Sequence, residues 1–199
     1  MNKRLIFILL CVVFCFSGCT NTKNKQLSKE DAVSIVDEIL PNAMEVYNIF
    51  YVGLPTEFDV ASSETIMPIT EENKKYSPVI SDKYKSIDDI KNFTESVFTA
   101  QFAEENFYSY FEKPVNNDVN EELSIPLYKD INGVLCENVN FGGKGWGVEW
   151  LTETLEIVEQ TDETMILEME TTLFDEPNGK NRLILNKVNG LWLLSSHVV

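Results

Sequence analysis

Residues 164–173 read TMILEMETTL, and their side chains alternate between the two faces of an extended strand. One face carries Met165, Leu167, Met169, Thr171 and Leu173. The other face carries Ile166, Glu168, Glu170 and Thr172. An alternation with period two is typical of a strand that is buried on one side and solvated on the other. It therefore predicts a sheet with one wet face.

Turn signals separate short extended runs on both sides of this strand. From Ile125 onward they are Asn132-Gly133, Gly142-Gly143, Gly145, Gly147, Thr161-Asp162-Glu163, Pro177-Asn178-Gly179 and Asn189-Gly190. Asn-Gly between extended runs is the strongest short-range hairpin signal, because both central residues of a type I′ turn have positive φ. We therefore expect the second half of the chain to form an antiparallel meander whose strands are joined by hairpins.

The first half of the chain has the helical period instead. Apolar residues recur at spacings of three and four over residues 33–50, and Ser28 offers an N-cap. Pro41 lies within this pattern, where its missing N–H and its ring cost ~3 kcal/mol. A kink or a break is therefore expected near Leu40, and the helix is expected to end at 53–55 (GLP).

Two shorter helices are expected further on, capped by Ser86 and by Thr99, with an irregular excursion over residues 55–84. Helices followed by antiparallel strands indicate the α+β class. We expect N-terminal helices packed on one face of a curved antiparallel β-meander.

The amino-terminal residues have the composition of a lipoprotein signal peptide. Lys3 and Arg4 precede the apolar run LIFILLCVVFCF at 5–16. At about 1.5 Å per residue this run reaches only ~18 Å, which is short of the ~30 Å hydrocarbon core of a membrane. The sequence FSGC at 16–19 resembles a bacterial lipobox, with Phe16 in place of the commoner Leu.

The lipobox resemblance implies cleavage before Cys19 and acylation of its thiol. We therefore expect a signal peptide over 1–18, a lipidated tether over 19–27 and a single α+β domain over 28–199. The protein would be held outside the cytoplasm, anchored by lipid to the cell membrane. A short anchor or an uncleaved signal is the alternative.

The charge of the chain excludes one class of partner. The formal charge is −16, and removal of residues 1–18 takes away Lys3 and Arg4 and lowers it to −18. So acidic a surface repels the phosphates of nucleic acids and offers no basic stripe for them. We expect no nucleic-acid partner.

Few residues could carry catalysis. His197 is the only histidine, and after processing Cys136 is the only cysteine without a lipid, so neither a disulfide nor a four-ligand zinc site is expected within one chain. No phosphate-binding loop, HExxH or G-x-S-x-G sequence occurs. We therefore expect no enzyme activity, no catalytic residue, no metal and no cofactor.

One charge pattern predicts a binding site. Ten acids and no base lie between Lys144 and Lys180. Aromatic residues stand in and beside a Gly-rich loop that precedes this acidic stretch, and exposed Trp beside flexible Gly is typical of protein interfaces. The predicted partner-binding residues are Phe141, Lys144, Trp146, Glu149, Glu153 and Glu156. The alternative is an acidic face that is simply solvated or that binds calcium adventitiously.

Several segments together resemble a known family. They are YKSIDDI at 84–90, SVFT at 96–99, PLY at 126–128 before Asn132-Gly133, and VNGLW at 188–192. Over roughly residues 30–199 the chain resembles the IseA-type inhibitors of cell-wall DL-endopeptidases. These segments hold mostly turn and core residues that cystatin-like and nuclear-transport-factor-like domains share in part, and the expected fold is cystatin-like.

The resemblance implies a secreted, non-enzymatic protein that binds the catalytic domain of an NlpC-type peptidoglycan hydrolase and blocks its cleft. With the lipobox, it predicts a membrane-tethered inhibitor or modulator. The alternative is a ligand-binding or sensory lipoprotein with an apolar pocket. Its candidate lining residues are Phe93, Phe98, Phe102, Phe107 and Trp192.

Overall fold

The computed structural model describes residues 26–57, 76–112, 125–139, 141, 145 and 147–199. The helices are α1 (Lys29–Tyr47), α2 (Ile87–Val97), α3 (Ala100–Asn106) and α4 (Ser109–Glu112). A π-helical turn, Asn48–Val52, follows α1, and a 3-10 turn lies at Thr152–Thr154. The strands are β1 (Tyr76–Pro78), β2 (Tyr128–Ile131), β3 (Val134–Asn138), β4 (Val148–Trp150), β5 (Glu156–Gln160), β6 (Thr164–Leu173), β7 (Glu176–Val188) and β8 (Leu191–Leu194).

The strands form two antiparallel sheets. The smaller sheet has the order β1-β3-β2, and the larger has the order β4-β6-β7-β8. β5 also pairs with β6, beside its first half, while β4 lies beside its last three residues. Together β4, the 3-10 turn and β5 make one interrupted edge strand. The expected α+β class with a curled antiparallel sheet is confirmed.

The alternation along β6 is confirmed over most of its length. Met165, Leu167 and Met169 are fully buried, and Thr171 is nearly so. Leu173, expected on the same face, is 40% exposed because β6 and β7 continue beyond the core at this end. The buried face therefore ends two residues before the strand does.

Three of the predicted turns are confirmed. Thr161-Asp162-Glu163 joins β5 to β6. Asn132-Gly133 joins β2 to β3 and Asn189-Gly190 joins β7 to β8, and all four residues have positive φ. The turn expected at Pro177-Asn178-Gly179 is wrong, because these residues lie within β7. The chain reverses instead at Phe174-Asp175, where φ is 51° and 66°.

Of the two possibilities expected near Leu40, a kink or a break, the break is wrong. α1 continues through Pro41 and ends at Tyr47. Ile39, Leu40 and Ala43 on both sides of the proline are buried in the core, and their burial, at about 1.5–3 kcal/mol for each large side chain, offsets its cost. Gly53, with φ of 97°, ends the π-helical turn.

The three predicted helix caps are present. Ser28 forms a capping box with Asp31, and the hydroxyls of Ser86 and Thr99 accept hydrogen bonds from the backbone N–H of Asp89 and Phe102. Each such cap contributes about 1 kcal/mol. The helix starts could therefore be identified from the sequence to within a residue.

One hydrophobic cluster joins the helices to the larger sheet. It contains the buried side of α1, three phenylalanines from the α2–α3 region and the inner residues of β6 and β7. Tyr47 lies edge-on to Phe98 and Phe107, with ring centroids 6.0 and 5.3 Å apart. None of the helices in the described ranges has the length and apolarity needed to cross a membrane.

Candidate functional site

The β6–β7 hairpin ends in an exposed aromatic residue. Phe174 is 72% exposed, and both Phe174 and its neighbour Asp175 have positive φ. A bulky residue with positive φ is uncommon, because its Cβ approaches the backbone, and such residues cluster at functional sites. Phe174 was missing from the sequence prediction, since a Phe at the end of an alternating strand resembles one more core residue.

The segment before β4 supports the ring of Phe174. The backbone N–H of Phe174 donates to the carbonyl oxygen of Gly147 at 2.9 Å. The ring lies against the α-carbon of Gly147, where an added Cβ would be less than 3.0 Å from three ring atoms. A residue without a side chain is therefore required at position 147 to admit the ring.

A buried threonine fixes the strand behind the tip. Thr171 is 2% exposed, and its hydroxyl accepts hydrogen bonds from the side-chain amides of Asn181 at 2.7 Å and Asn178 at 3.2 Å. At this point the register shifts: Thr171 pairs with Gly179 but Thr172 pairs with Pro177. The resulting β-bulge brings Leu173 opposite Glu176, which leaves two residues for the turn.

The pairing of β7 also explains how this strand accommodates a proline. β8 pairs with β7 only over residues 185–188, so none of the described strands pairs with β7 on that side at Pro177. A proline is tolerated where a strand has a free edge, because no ladder hydrogen bond is lost. The sequence PNG therefore marks a bulge here and not the turn itself.

The predicted partner-binding residues are only partly brought together. Glu149 is exposed and pairs with Thr172, two residues from Phe174. Glu153 is exposed in the 3-10 turn, and its carbonyl accepts from the Lys29 ammonium at 3.5 Å. Phe141 is half-buried against the core. Lys144, Trp146 and the lipidation residue Cys19 lie outside the described residues.

Glu156 belongs to an ion-pair cluster away from the tip. It contacts Lys180 at 3.1 Å, and Glu168 contacts Lys180 at 3.5 Å and Arg182 at 3.1 Å. The hydrogen bond from Arg182 and the charge of Lys180 lower the pKa of Glu168, and Glu156 raises the pKa of Lys180. Lys180 and Arg182 thus partly neutralise the middle of the acidic stretch. Within the described part of the chain, Glu149, Asp175 and Glu176 near the tip form no ion pair.

His197 and Cys136 have side chains of the kind that enzymes use in catalysis, and both contact other parts of the fold. The ring nitrogen Nδ1 of His197 lies 2.7 Å from the hydroxyl of Tyr47. Cys136 is buried, and its thiol lies 3.5 Å from the carbonyl of Val134. Within the described ranges, no group of three or more His, Cys, Asp or Glu residues is arranged to hold a metal ion.

One buried carboxylate was also missed by the sequence reasoning. Glu137 is 7% exposed, and its Oε2 accepts from the backbone N–H of Leu54 at 2.5 Å. Burial raises the pKa of Tyr128, and the charge of Glu137 raises it further. The hydroxyl of Tyr128 donates to the carbonyl of Ile49 at 2.7 Å. Glu137 and Tyr128 therefore hold the chain where it leaves the π-helical turn.

The candidate pocket residues divide into two groups. Phe98, Phe102 and Phe107 pack on one another inside the core, with ring centroids 5.1–6.0 Å apart. Phe93 and Trp192 line an open groove of about 380 Å³ between α1, α2 and β8. The apolar lining therefore faces a groove at the surface and not a chamber inside the core.

Comparison with known proteins gives one partial similarity. No family model matches the chain, and no solved structure matches it. A segment of 105 residues is 31% identical to the extracellular matrix-binding protein ebh of two Staphylococcus aureus strains, JH9 and JH1. It covers 52% of this chain and 1% of each of those proteins. The chain thus spans about one hundredth of their length.

Proposed function

We propose that this protein is a membrane-tethered extracytoplasmic lipoprotein that binds the catalytic domain of an NlpC-type cell-wall DL-endopeptidase and occludes its cleft without catalysis. The single observation that carries this proposal is the exposed Phe174 at the tip of the β6–β7 hairpin. A two-residue turn is narrow enough to enter a cleft, and an aromatic side chain is a frequent anchor in protein interfaces.

The hairpin is ordered before it meets a partner. The bulge at Asn178, the two amide hydrogen bonds to Thr171 and the contact with Gly147 hold Phe174 in place. Because an ordered anchor loses little conformational entropy on binding, more of its contact energy appears as affinity. A turn with positive φ at two successive residues is a conformation that the surrounding structure must maintain.

The charges around the tip indicate a basic partner. Asp175 and Glu176 are exposed beside Phe174, and Glu149 is exposed on the adjoining strand β4. Together they form an acidic rim around one aromatic residue. An acidic rim increases the rate of association with a basic cleft edge, and this increase weakens as salt is added.

The first experiment measures inhibition. Residues 20–199 contain every described element and the whole hydrophobic cluster, and they are mixed with an NlpC-type catalytic domain and peptidoglycan. We expect slower hydrolysis, and we expect Phe174→Ala to weaken inhibition at least about tenfold, as for an interface anchor. Leu191→Ala is the matched control, because Leu191 is 66% exposed at the other end of the larger sheet.

Two results would contradict the proposal at different levels. If the wild-type chain neither binds the catalytic domain nor slows it, the function is wrong. If the chain inhibits but Phe174→Ala inhibits equally well, the site is wrong. Incorporation of labelled palmitate that is lost in Cys19→Ala tests the membrane tether separately.

A second candidate function is supported by the groove that Phe93 and Trp192 line. In this alternative, the protein is a ligand-binding or sensory lipoprotein that takes an elongated apolar molecule between α1 and β8. A titration with a fatty acid, followed by tryptophan fluorescence, would show saturable binding that Phe93→Ser abolishes. Binding that is unchanged in Phe93→Ser would contradict the alternative.

A further inference from the structure

The long β6–β7 hairpin separates two ends of the larger sheet. Leu173 pairs with Glu176 beside the Phe174 tip, and Thr164 pairs with Asn186 at the other end. Ten residues of β6 at about 3.4 Å each place these ends roughly 30 Å apart. The β7–β8 turn at Asn189-Gly190 lies at the end remote from Phe174.

The amino-terminal chain reaches the domain at that remote end. Gln26 and Leu27 line a cleft of about 590 Å³ together with Lys187 and Trp192. Only six residues lie between Cys19 and Gln26, and the seven steps from one Cα to the next span at most about 25 Å. A lipid on Cys19 therefore keeps the β7–β8 end within about 25 Å of the membrane surface.

The β7–β8 end has the side chains expected at a lipid surface. Val188 and Leu191 pair with each other on one face and are 40% and 66% exposed. Lys187 and Trp192 pair on the opposite face, with the ammonium 5.4 Å from the indole ring centroid. Aliphatic side chains, Trp and Lys together are typical of segments that lie at the boundary between headgroups and acyl chains.

We propose that the β7–β8 end, defined by Lys187, Val188, Leu191 and Trp192, is the surface that contacts the phospholipid bilayer. This inference rests on the lipidation of Cys19 in the proposed function. The contact is apolar and does not depend on negatively charged lipids. Asp162 and Glu163 line the same cleft, and their charges would repel such lipids. Contact of the β7–β8 end with the bilayer turns the Phe174 tip, at the opposite end of the sheet, away from the membrane.

The test uses residues 19–199 with Cys136→Ala, coupled through the Cys19 thiol to a maleimide-bearing lipid. The vesicles contain phosphatidylcholine with brominated acyl chains, which quench tryptophan emission only on contact. The chain has three Trp residues, so Trp192→Phe shows which one is quenched. We expect quenching in the coupled chain and the loss of most of it in Trp192→Phe.

Two matched charge substitutions identify the end that touches lipid. Leu191→Glu is expected to abolish quenching, because a carboxylate resists burial at the acyl boundary, and Phe174→Glu is expected to leave it unchanged. Absence of quenching in the coupled chain, or equal quenching in Trp192→Phe, would overturn the inference. Quenching that Phe174→Glu abolishes and Leu191→Glu does not would also overturn it.

The same two variants distinguish this inference from the proposed function. In the hydrolase assay with uncoupled residues 20–199, Leu191→Glu is expected to inhibit like wild type and Phe174→Glu is expected to lose inhibition. A chain that inhibits the hydrolase but shows no quenching would overturn the bilayer contact alone. A chain that shows the expected quenching pattern but does not inhibit would overturn the hydrolase target alone.

Discussion

The ring of Phe174 lies so close to the α-carbon of Gly147 that a Cβ atom there would fall less than 3.0 Å from three ring atoms. Gly147→Ala should therefore push the ring away from its present position. We expect inhibition of the hydrolase to weaken about tenfold. The free energy of unfolding should change by less than about 1 kcal/mol, since Phe174 is exposed and can move into solvent.

Gly145→Ala is the matched control for this substitution. No heavy atom of the described residues lies within 4 Å of a Cβ atom built on Gly145. Inhibition by Gly145→Ala should equal that of the wild type, and thermal unfolding should show both variants folded. Equal inhibition by both variants would show that the position of Phe174 is irrelevant to binding.

Gly53→Ala should be among the most destabilising single substitutions in the chain. Gly53 has φ of 97°, and an added Cβ would fall less than 3.0 Å from the carboxylate of Glu137. Glu137 would have to leave the backbone N–H of Leu54, to which it is bonded at 2.5 Å. Strain and a disturbed buried carboxylate together should lower the free energy of unfolding by about 2–4 kcal/mol.

Gly133→Ala is the control that measures the backbone strain of a positive φ without a steric contact like the one with Glu137. Gly133 also has positive φ, 80°, but no atom in the described part of the chain lies within 4 Å of its added Cβ. Urea denaturation should give a loss of about 1 kcal/mol for Gly133→Ala. If both variants lost the same amount, the contact with Glu137 would have no energetic role.

The carboxyl-terminal residues should contribute measurably to stability. Val198 is 1% exposed, and its carbonyl accepts from the indole N–H of Trp150 at 2.8 Å. Val198→Ala should lower the free energy of unfolding by about 1–3 kcal/mol, and Trp150→Phe should cost about 1 kcal/mol or more. Val199→Ala, at a residue that is 38% exposed, should stay within about 0.5 kcal/mol of wild type in the same denaturation experiment.

Glu45 should make stability depend on acid pH. Partial burial opposes its ionisation, but hydrogen bonds from Tyr84 at 2.6 Å and Lys83 at 2.9 Å outweigh burial and lower its pKa from 4.5. A lowered folded-state pKa stabilises the fold above pH 4.5, and this contribution is lost as the pH falls through the folded-state value. The difference between wild type and Glu45→Gln should therefore shrink on acidification.

Tyr84→Phe is the companion variant for this measurement. It removes one of the hydrogen bonds that favour the charged carboxylate and retains the ring, so the acid-sensitive part of the stability should become smaller but not vanish. Denaturation curves between neutral and acid pH measure both effects. A difference between wild type and Glu45→Gln that stays constant with pH would contradict the assignment.

Local sequence patterns determined much of the fold. The capping hydroxyls of Ser28, Ser86 and Thr99 start helices as expected, and two of the three Asn-Gly pairs form turns. These features depend on a few neighbouring residues, which is why they could be identified from the sequence. The division into two sheets depends on pairing between distant strands, and the sequence pattern did not show it.

The candidate site was harder to predict for the same physical reason. The turn was expected at Pro177-Asn178-Gly179, but the amide groups of Asn178 and Asn181 bond Thr171 across the hairpin and make that segment a bulge. The reversal then occurs at Phe174-Asp175, which has no glycine to mark it. Glu149, one of the predicted partner-binding residues, pairs with Thr172 near this tip, while the exposed Phe174 was not among the predicted residues.

The interrupted edge formed by β4 and β5 affects whether two copies of the protein can pair through their sheet edges. β4 has three residues, the 3-10 turn breaks the line, and β5 shifts register between Ile157 and Glu159. A short, bulged and acidic edge offers no continuous row of N–H and C=O groups to a second chain. If the proposed lipid tether confines the molecules to two dimensions on a membrane, they collide often, and this edge resists their joining into aggregated sheets.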